Sequence, residues 1–213
     1  NLKSETSNNY QLSLDWKKVR NNYIIRCDLS SFYNDMNNLI TLANTDENAY
    51  SYINIGKYKT LGAQANINLT YEFLNINSGF SYIGRQNNIE ASENVDPYSY
   101  AFEFKSNCIY EIDFLNSDIA IYYKKTGALP SFVINSEGEV QESIIDGYQI
   151  MDLTYSWSSS DNKLKVVVGC KNAFDVQNVN TISGSSGPHQ SGTNGMSVGY
   201  GRTFFTSLKW SLK

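Results

Sequence analysis

The sequence predicts an all-β fold, an antiparallel up-and-down meander of about nine strands of the transmembrane β-barrel type. Three observations predict it. Apolar and polar side chains alternate with a period of two along nearly every patterned segment. Short and long connections alternate between these segments. One face of each segment is apolar or aromatic, and the other is polar or charged.

The first five strands are predicted over about 9–20, 22–42, 51–70, 73–85 and 98–110. The first strand shows the pattern most clearly. Its apolar face carries Tyr10, Leu12, Leu14 and Trp16. Its polar face carries Gln11, Ser13, Asp15 and Lys17. The other four repeat this alternation, so each is expected to be an amphipathic strand.

The last four strands are predicted over about 114–126, 147–157, 163–175 and 201–213. A chain terminus usually frays, yet the final segment alternates regularly up to Trp210 and Leu212. Its apolar positions therefore need a partner or an apolar solvent.

Connection lengths indicate how the strands are joined. The connections around 20–22, 70–72, 111–113 and 158–162 are short, and those around 43–50, 86–97, 127–146 and 177–200 are long. A meander with tight turns at one end and long loops at the other has this pattern, which is typical of outer-membrane barrels. The segment 131–140, with a turn signal at 136–138, is expected to form a small hairpin within the third long connection.

A bilayer is the solvent that best explains the apolar face. Tilted strands of about 9–11 residues cross a membrane, and their backbone groups pair between strands. Aromatic residues fall near both strand ends, as interfacial girdles would require. Those near the short turns are Trp16, Trp157, Trp210, Tyr71, Tyr110 and Phe114, and those near the long loops are Tyr50, Tyr52, Tyr98, Tyr100 and Tyr123.

A soluble β-sandwich or β-helix would also alternate, with the apolar face as its core. The opposite positions, however, hold many charged and amide residues. They include Arg26, Asp28, Gln64, Asn66, Glu103, Lys105, Asp118, Asp152 and Lys165. A dry interior would not accept these side chains unpaired, so a watery lumen is the better interpretation.

Composition excludes several functions. The net charge of −4 and the pI near 5.0 give no electrostatic basis for a nucleic-acid partner. Cys27, Cys108 and Cys170 are widely spaced and all fall on the apolar face, so neither a zinc site nor a disulfide is expected. No nucleophile–histidine motif is present, and we expect neither catalysis nor a resident cofactor.

The long connections hold the weak candidates for ligand contact. His189, the single histidine, is either a ligand contact such as a haem axial ligand or a polar loop residue, and the second is preferred. The glycine-rich run around it lacks P-loop spacing. Tyr98 follows the acidic stretch of Glu90, Glu93 and Asp96, where a calcium site is the less favoured alternative to a solvated loop. Phe132 belongs to the predicted hairpin.

Two carboxylates on the polar face are also candidates. Asp118 and Asp152 would face the lumen, where they could contact substrate. The preferred alternative is pairing with Lys165, Lys105 or Lys124 on neighbouring strands. Of the two, Asp152 is retained as a weak ligand-binding candidate.

Several segments resemble TonB-dependent outer-membrane receptors. The segments are NLKSETSNNYQLSLDW, SSFYNDMNNLITL, YINIGKYKTLGAQANINL, GCKNAFDVQNV and GYGRTFFTSLKW. They follow the family's order along essentially the whole chain, with Ala173 where the family pattern has Leu. In style they are closer to Bacteroidetes receptors than to proteobacterial ones.

The resemblance implies that residues 1–213 are the C-terminal portion of a 22-stranded barrel, without its plug, TonB box and first strands. It implies uptake of a scarce nutrient such as siderophore-iron, haem or cobalamin across a bacterial outer membrane. The expected partners are outer-membrane lipid, the ligand and the TonB complex acting through the missing plug. The alternatives are a passive porin-like barrel, a soluble secreted β-sheet binding protein and, less favoured, an enzyme built on a barrel.

Overall fold

The structure is a computed structural model, and it describes residues 2–46, 49–86, 98–134, 140–182 and 195–211. In these ranges its regular secondary structure consists of strands apart from one 3₁₀ turn at Asp113–Leu115. Nine strands form one antiparallel sheet in the order β1-β2-β3-β4-β5-β6-β9-β10-β13. They are β1 Thr6–Val19, β2 Tyr23–Asp46, β3 Ala49–Tyr71, β4 Leu74–Gln86, β5 Tyr98–Ile112, β6 Ser117–Thr126, β9 Tyr148–Ser158, β10 Leu164–Lys171 and β13 Thr203–Trp210.

The second sheet is built from the long connections. Its order is β12-β11-β8-β7, with β7 Leu129–Ile134, β8 Val140–Ile145, β11 Asn178–Ile182 and β12 Gly195–Ser197. The predicted hairpin in the third long connection is present as the β7–β8 pair. The two short strands β11 and β12 were not predicted. The prediction of nine antiparallel strands in a meander is confirmed.

Register places the predicted apolar positions on one face of the main sheet. Leu14 pairs with Leu29, and the row continues through Ala65 to Phe80 and Phe104. This face is not covered by protein: Leu208, opposite Val166, is 68% exposed. Among the residues whose side chains the structure describes, Val179, 4% exposed, is the one buried hydrophobic residue. The sheet therefore lacks a dry core of its own, and its apolar face needs a non-aqueous surrounding.

The opposite face carries most of the charged and amide side chains of the sheet, with apolar residues such as Phe32 and Ile109 among them. Asp28 pairs with Asn66, and Lys105 pairs with Lys124. Lys124 Nζ lies 2.7 Å from Glu103 Oε2, which offsets the like charge of the neighbouring lysine. The residues on this face suit a hydrated lumen better than a packed interior.

Backbone hydrogen bonds link the short turns to one another. The Glu72 N–H donates to the Asn22 carbonyl at 3.3 Å, and the Glu111 N–H donates to the Phe73 carbonyl at 2.8 Å. The Ser158 N–H donates to Asn116 at 2.9 Å, and the Ser211 N–H donates to Lys163 at 2.8 Å. This end of the sheet is therefore a continuous hydrogen-bonded rim.

One predicted long connection is wrong. Residues 43–50 were expected to form a loop, but β2 and β3 stay paired through Ala43↔Ser51, Asn44↔Tyr50 and Asp46↔Ala49. Pairing satisfies the backbone groups that a loop would leave to water, and it prevails although Ala, Asn and Asp, which are poor β-formers, predominate past the predicted strand ends. At about 3.3 Å per residue, the 24 residues of β2 extend roughly 80 Å, well beyond a hydrocarbon core of about 30 Å.

A glycine allows the last strand to pack closely. The ring of Phe205 on β13 lies over Gly169 on β10, so that a Cβ there would be 2.4 Å from the ring carbons.

None of the helical structure in the described part of the chain has the length and apolar character that crossing a bilayer requires.

Candidate functional site

The end of the sheet opposite the short turns is held by a cluster that we call the rim clasp, comprising Asn172–Val176, Gly201 and Arg202. Asn172 directly follows β10, has a left-handed φ of 49° and is 8% exposed. Its side-chain amide donates to the Val176 carbonyl at 2.8 Å and its oxygen accepts from the Val176 N–H at 3.0 Å. Both ends of one side chain thus close a tight loop.

Asp175 joins this loop to the last strand. Its Oδ1 accepts from the Arg202 backbone N–H at 2.7 Å and from the Gln177 side chain at 3.4 Å. The Arg202 guanidinium donates in turn to the Ala173 carbonyl, from Nη2 at 2.7 Å and Nε at 3.0 Å. Two segments about 27 residues apart in sequence are thereby fixed together.

The clasp gives a pH-dependent contribution to stability. The hydrogen bond from the Arg202 backbone N–H, followed by that from Gln177, holds the pKa of Asp175 below its usual value, at a site outside the sheet's strands. A depressed carboxyl pKa stabilises the fold above the unfolded pKa of about 3.9, and this stabilisation is lost as the pH falls through the folded pKa.

We therefore expect Asp175→Asn to lower the thermal midpoint at pH 7, and the difference from wild type to shrink as the pH falls below about 4. The amide keeps an oxygen acceptor but does not titrate, so the comparison isolates this carboxyl from the other acids. Circular dichroism melts from pH 7 to pH 3 measure it. A difference that stays constant over that range would contradict the assignment.

A cavity of about 370 Å³, which we call the rim pocket, lies beside the clasp. It is formed where β9 begins and where the chain leaves β10 to enter β11. The lining residues are Asp146, Gly147, Tyr148, Gln149, Phe174, Val176, Asn178 and Val179.

Close backbone packing builds the walls of the rim pocket. A Cβ at Gly147 would be 2.8 Å from the Thr126 carbonyl oxygen, so the approach of β9 to β6 requires glycine there. The Tyr123 hydroxyl donates to Gln149 Oε1 at 2.7 Å and orients that amide. The clasp fixes the backbone on both sides of Phe174, whose side chain is 48% exposed.

The polar face of the sheet forms a second candidate surface. A smaller cavity of about 180 Å³ lies among amide, hydroxyl and charged side chains, including Gln64, Asn66, Ser81, Glu103 and Lys105. Such groups can hydrogen-bond a polar solute and pass it on. In the described part of the chain no group of three or more His, Cys, Asp or Glu side chains is placed to hold a metal ion.

The predicted site residues fall in different places. His189 lies outside the described residues, as do Glu90, Glu93 and Asp96. Phe132 lies in β7 and pairs with Glu142. Tyr98 is on the apolar face, with its ring centroid 6.2 Å from that of Tyr100, in the position of a girdle residue. Ligand contact by these residues stays a prediction.

The two polar-face aspartates have protein partners. Asp118 Oδ2 lies 4.0 Å from Lys165 Nζ, which is one of the pairings expected from the sequence. Asp152 Oδ1 accepts instead from the Asn172 backbone N–H at 2.8 Å, so it supports the rim clasp. Neither the clasp nor the rim pocket was predicted. The segments GCKNAFDVQNV and GYGRTFF were singled out, but their meeting in space is a long-range contact that no local pattern encodes.

The comparisons with known proteins agree with this architecture. A family model described as the β-barrel of TonB-dependent receptor-like proteins matches residues 1–173. No curated protein matches the sequence.

Three solved structures share the fold. The siderophore receptor PirA from Acinetobacter baumannii superposes with a TM-score of 0.70 at 21% identity, covering 100% of this chain and 32% of PirA. The pyoverdine receptor FpvA from Pseudomonas aeruginosa PAO1, bound to pyoverdine, gives 0.70 at 18% identity, with 99% and 30% covered. The iron transporter FrpB from Neisseria meningitidis gives 0.69 at 14% identity, with 98% and 31% covered. The chain thus spans about a third of the length of these proteins.

Proposed function

Because the chain belongs to the TonB-dependent receptor β-barrel family, we propose that it forms part of the wall of a receptor in a bacterial outer membrane. The observation that carries the proposal is the two-faced sheet. Its apolar face is open to its surroundings, and its polar face is built from charged and amide side chains. Lipid would cover the first face, and water and solute would meet the second.

The receptor would take up a scarce nutrient, such as siderophore-bound iron, haem or cobalamin. Its solved structural neighbours include a siderophore receptor and an iron transporter. The polar face contributes hydrogen-bonding and charged groups along a path through the lumen. Residues 1–213 would be the C-terminal portion of the barrel. A plug that responds to TonB would be contributed by sequence outside these residues.

The edges of the main sheet support a larger barrel. Strands β1 and β13 lie at the two ends of the nine-strand order. An open edge presents unpaired backbone groups, and hydrocarbon cannot hydrogen-bond them. Further strands must therefore pair with β1 and β13 in the membrane. The hydrogen-bonded short turns would face the periplasm, and the rim clasp and rim pocket would face the outside.

Deletion of the gene in its source bacterium tests this function. We expect the protein in the outer-membrane fraction of the parent strain. We also expect the deletion strain to lose uptake of one of three labelled substrates: a ferric siderophore, haem or cobalamin. Uptake by the parent strain should stop when a protonophore collapses the inner-membrane proton gradient, because a TonB-dependent step draws on it. The gene restored on a plasmid is the control.

Other outcomes identify the alternatives. Uptake that persists with the protonophore would indicate a passive porin-like channel. Recovery of the protein in the soluble fraction without detergent would indicate a secreted β-sheet binding protein. Unchanged uptake of all three substrates in the deletion strain would contradict the nutrient classes named here.

A further inference from the structure

We infer that the hydrogen bonds around Asn54 form a latch between two neighbouring connections at the outer end of the sheet. The latch fixes the outer part of the β2–β3 pair, and its opening frees that part to turn about Asn38. The inference uses the proposed function only to place this end of the sheet outside the membrane.

The outer part of β2 and β3 leaves the sheet as a two-stranded arm, which comprises residues 39–46 and 49–55. In the described part of the chain, β1 pairs with β2 as far as Asn37, and β4 pairs with β3 as far as Thr60. Beyond these points the arm extends roughly 25 Å, at about 3.3 Å per residue. A two-stranded hairpin alone is marginally stable in water, so the orientation of the arm depends on its base.

A hinge lies at the base of the arm. Asn38 has a left-handed φ of 56° within an extended strand. The ladder of paired residues passes from Asn37↔Lys57 directly to Leu39↔Ile55, so it skips Asn38. Asparagine enters the left-handed region more readily than most residues because its short side chain can hydrogen-bond locally. A residue in this position can absorb the backbone rotation that movement of the arm requires.

A segment that we call the strap, Lys3–Glu5, reaches across β2 to β3 immediately before β1 begins. Asn54 Oδ1 accepts from the Lys3 N–H at 2.7 Å, and Asn54 Nδ2 donates to the Lys3 carbonyl at 3.0 Å. The same Nδ2 donates to the Asn38 carbonyl at 2.7 Å. One side-chain amide on β3 therefore holds the strap and the hinge together.

Two further hydrogen bonds join the strap to β2. Asn38 Nδ2 donates to the Ser4 carbonyl at 3.4 Å, and the Ile40 N–H donates to Glu5 Oε2 at 3.0 Å. Of the five bonds, only that between Asn54 and the Asn38 carbonyl is partly buried, and the others are exposed. Water competes for exposed hydrogen bonds, so the latch can open and re-form.

The latch couples two connections that are separate in the sequence. The strap belongs to the connection that leads into β1, and the arm is the connection between β2 and β3. Asn54 lies 51 residues from Lys3. Displacement of the first connection would withdraw the Lys3 backbone from Asn54, and the arm would then be free to turn about Asn38.

Distances between two spin labels on the purified full-length receptor in vesicles test the inference. One label replaces Tyr52, which is 63% exposed on the arm, and the other replaces Phe80, which is 45% exposed on the apolar face of β4. Native cysteines are replaced by alanine. We expect one narrow distribution centred at or below roughly 40 Å, the span along β3 from Tyr52 to Ala65, which pairs with Phe80.

Two positions in the latch are varied. Asn54→Ala removes the hydrogen bonds to Lys3 and Asn38 and should raise the population outside the wild-type distance range about tenfold, which corresponds to about 1.4 kcal/mol. Glu5→Ala removes only the bond from Ile40 and should have a smaller effect in the same direction. Glu5→Gln keeps an acceptor oxygen and should match wild type. The Glu5 pair supplies the test if Asn54→Ala does not fold.

Asn34→Ala is the matched control. Asn34 also links neighbouring strands, because it accepts from Asn9 and donates to Thr60 Oγ1 at 2.9 Å, but it lies below the hinge. Its distance distribution should equal that of wild type. Heat-modifiable migration on gels confirms that each variant has folded.

The inference is overturned if the wild-type distribution is already broad, if Asn54→Ala leaves it unchanged, or if Asn34→Ala broadens it as much as Asn54→Ala. These results are independent of the uptake assay. A latched arm in a protein whose deletion leaves nutrient uptake unchanged would remove the proposed function alone. A free arm in a receptor that takes up its nutrient would remove only this inference.

Discussion

Val168→Arg should destabilise the folded barrel by about 2–4 kcal/mol, whereas Val167→Arg, one residue away, should have a much smaller effect. Val168 lies in the middle of β10, between Tyr155 and Thr206, on the face assigned to lipid. Val167 lies between Ser156 and Ser207 on the polar face. An arginine in hydrocarbon is costly, but the same side chain in a hydrated lumen keeps its water.

The comparison is made in the full-length receptor refolded into vesicles, with stability measured by urea titration and tryptophan fluorescence. The two variants are adjacent in one strand and make the same substitution of valine by arginine, so propensity and side-chain size cancel between them. Equal destabilisation by both arginines would contradict the assignment of the two faces. A larger effect at Val167 would reverse it.

Asn172→Ala should cost about 2–4 kcal/mol and is the largest effect that we expect at the rim. The change removes both hydrogen bonds to Val176, each contributing about 0.5–1.5 kcal/mol. It also forces alanine into the left-handed φ of 49°, a conformation that asparagine tolerates better because its short polar side chain can hydrogen-bond locally. Loss of the loop would in turn loosen the link between Asp175 and Arg202.

Two further variants separate these causes. Asn172→Gly also loses the side-chain hydrogen bonds but accepts the backbone conformation, so it should be the milder change. Asn172→Asp keeps an oxygen for the Val176 N–H but places a carboxylate oxygen against the Val176 carbonyl, so it should fall between wild type and alanine. Thermal midpoints by circular dichroism rank the set. An alanine variant as stable as wild type would show that the clasp contributes nothing to the fold.

The strands of the main sheet could be predicted because each one carries its own signal. Alternation at period two fixes which side chains share a face, and the observed register keeps those faces together from Leu14 to Phe104. The free cysteines on the apolar face and the pairing of Asp118 with Lys165 follow from the same alternation.

The connections were harder to predict from the sequence because their structure depends on which distant segments they pair with. Residues 43–50 were expected to form a loop, yet β2 and β3 remain paired as far as Asp46 and Ala49. Strand β11 forms because it finds β8, at Thr181↔Ile145, in another long connection. Asp152 was expected to face substrate or a lysine, but the turn at Asn172 brings a backbone N–H to it instead. Contacts of this kind form between two segments that are far apart in the sequence, so neither segment alone carries a pattern that predicts them.

The sequence by itself determined the all-β architecture, the order of the nine strands and the two opposite faces. Successive side chains of a strand point to opposite faces of the sheet, so every second residue indicates which surroundings that face meets. The tertiary structure alone decided the rim clasp, the rim pocket and the joining of the predicted hairpin to β11 and β12 in a second sheet. The clasp and the pocket arise where sheet register brings together the start of β9, the end of β10 and the start of β13. A local pattern cannot specify a cavity whose walls come from separate segments, because its shape exists only once those segments have packed.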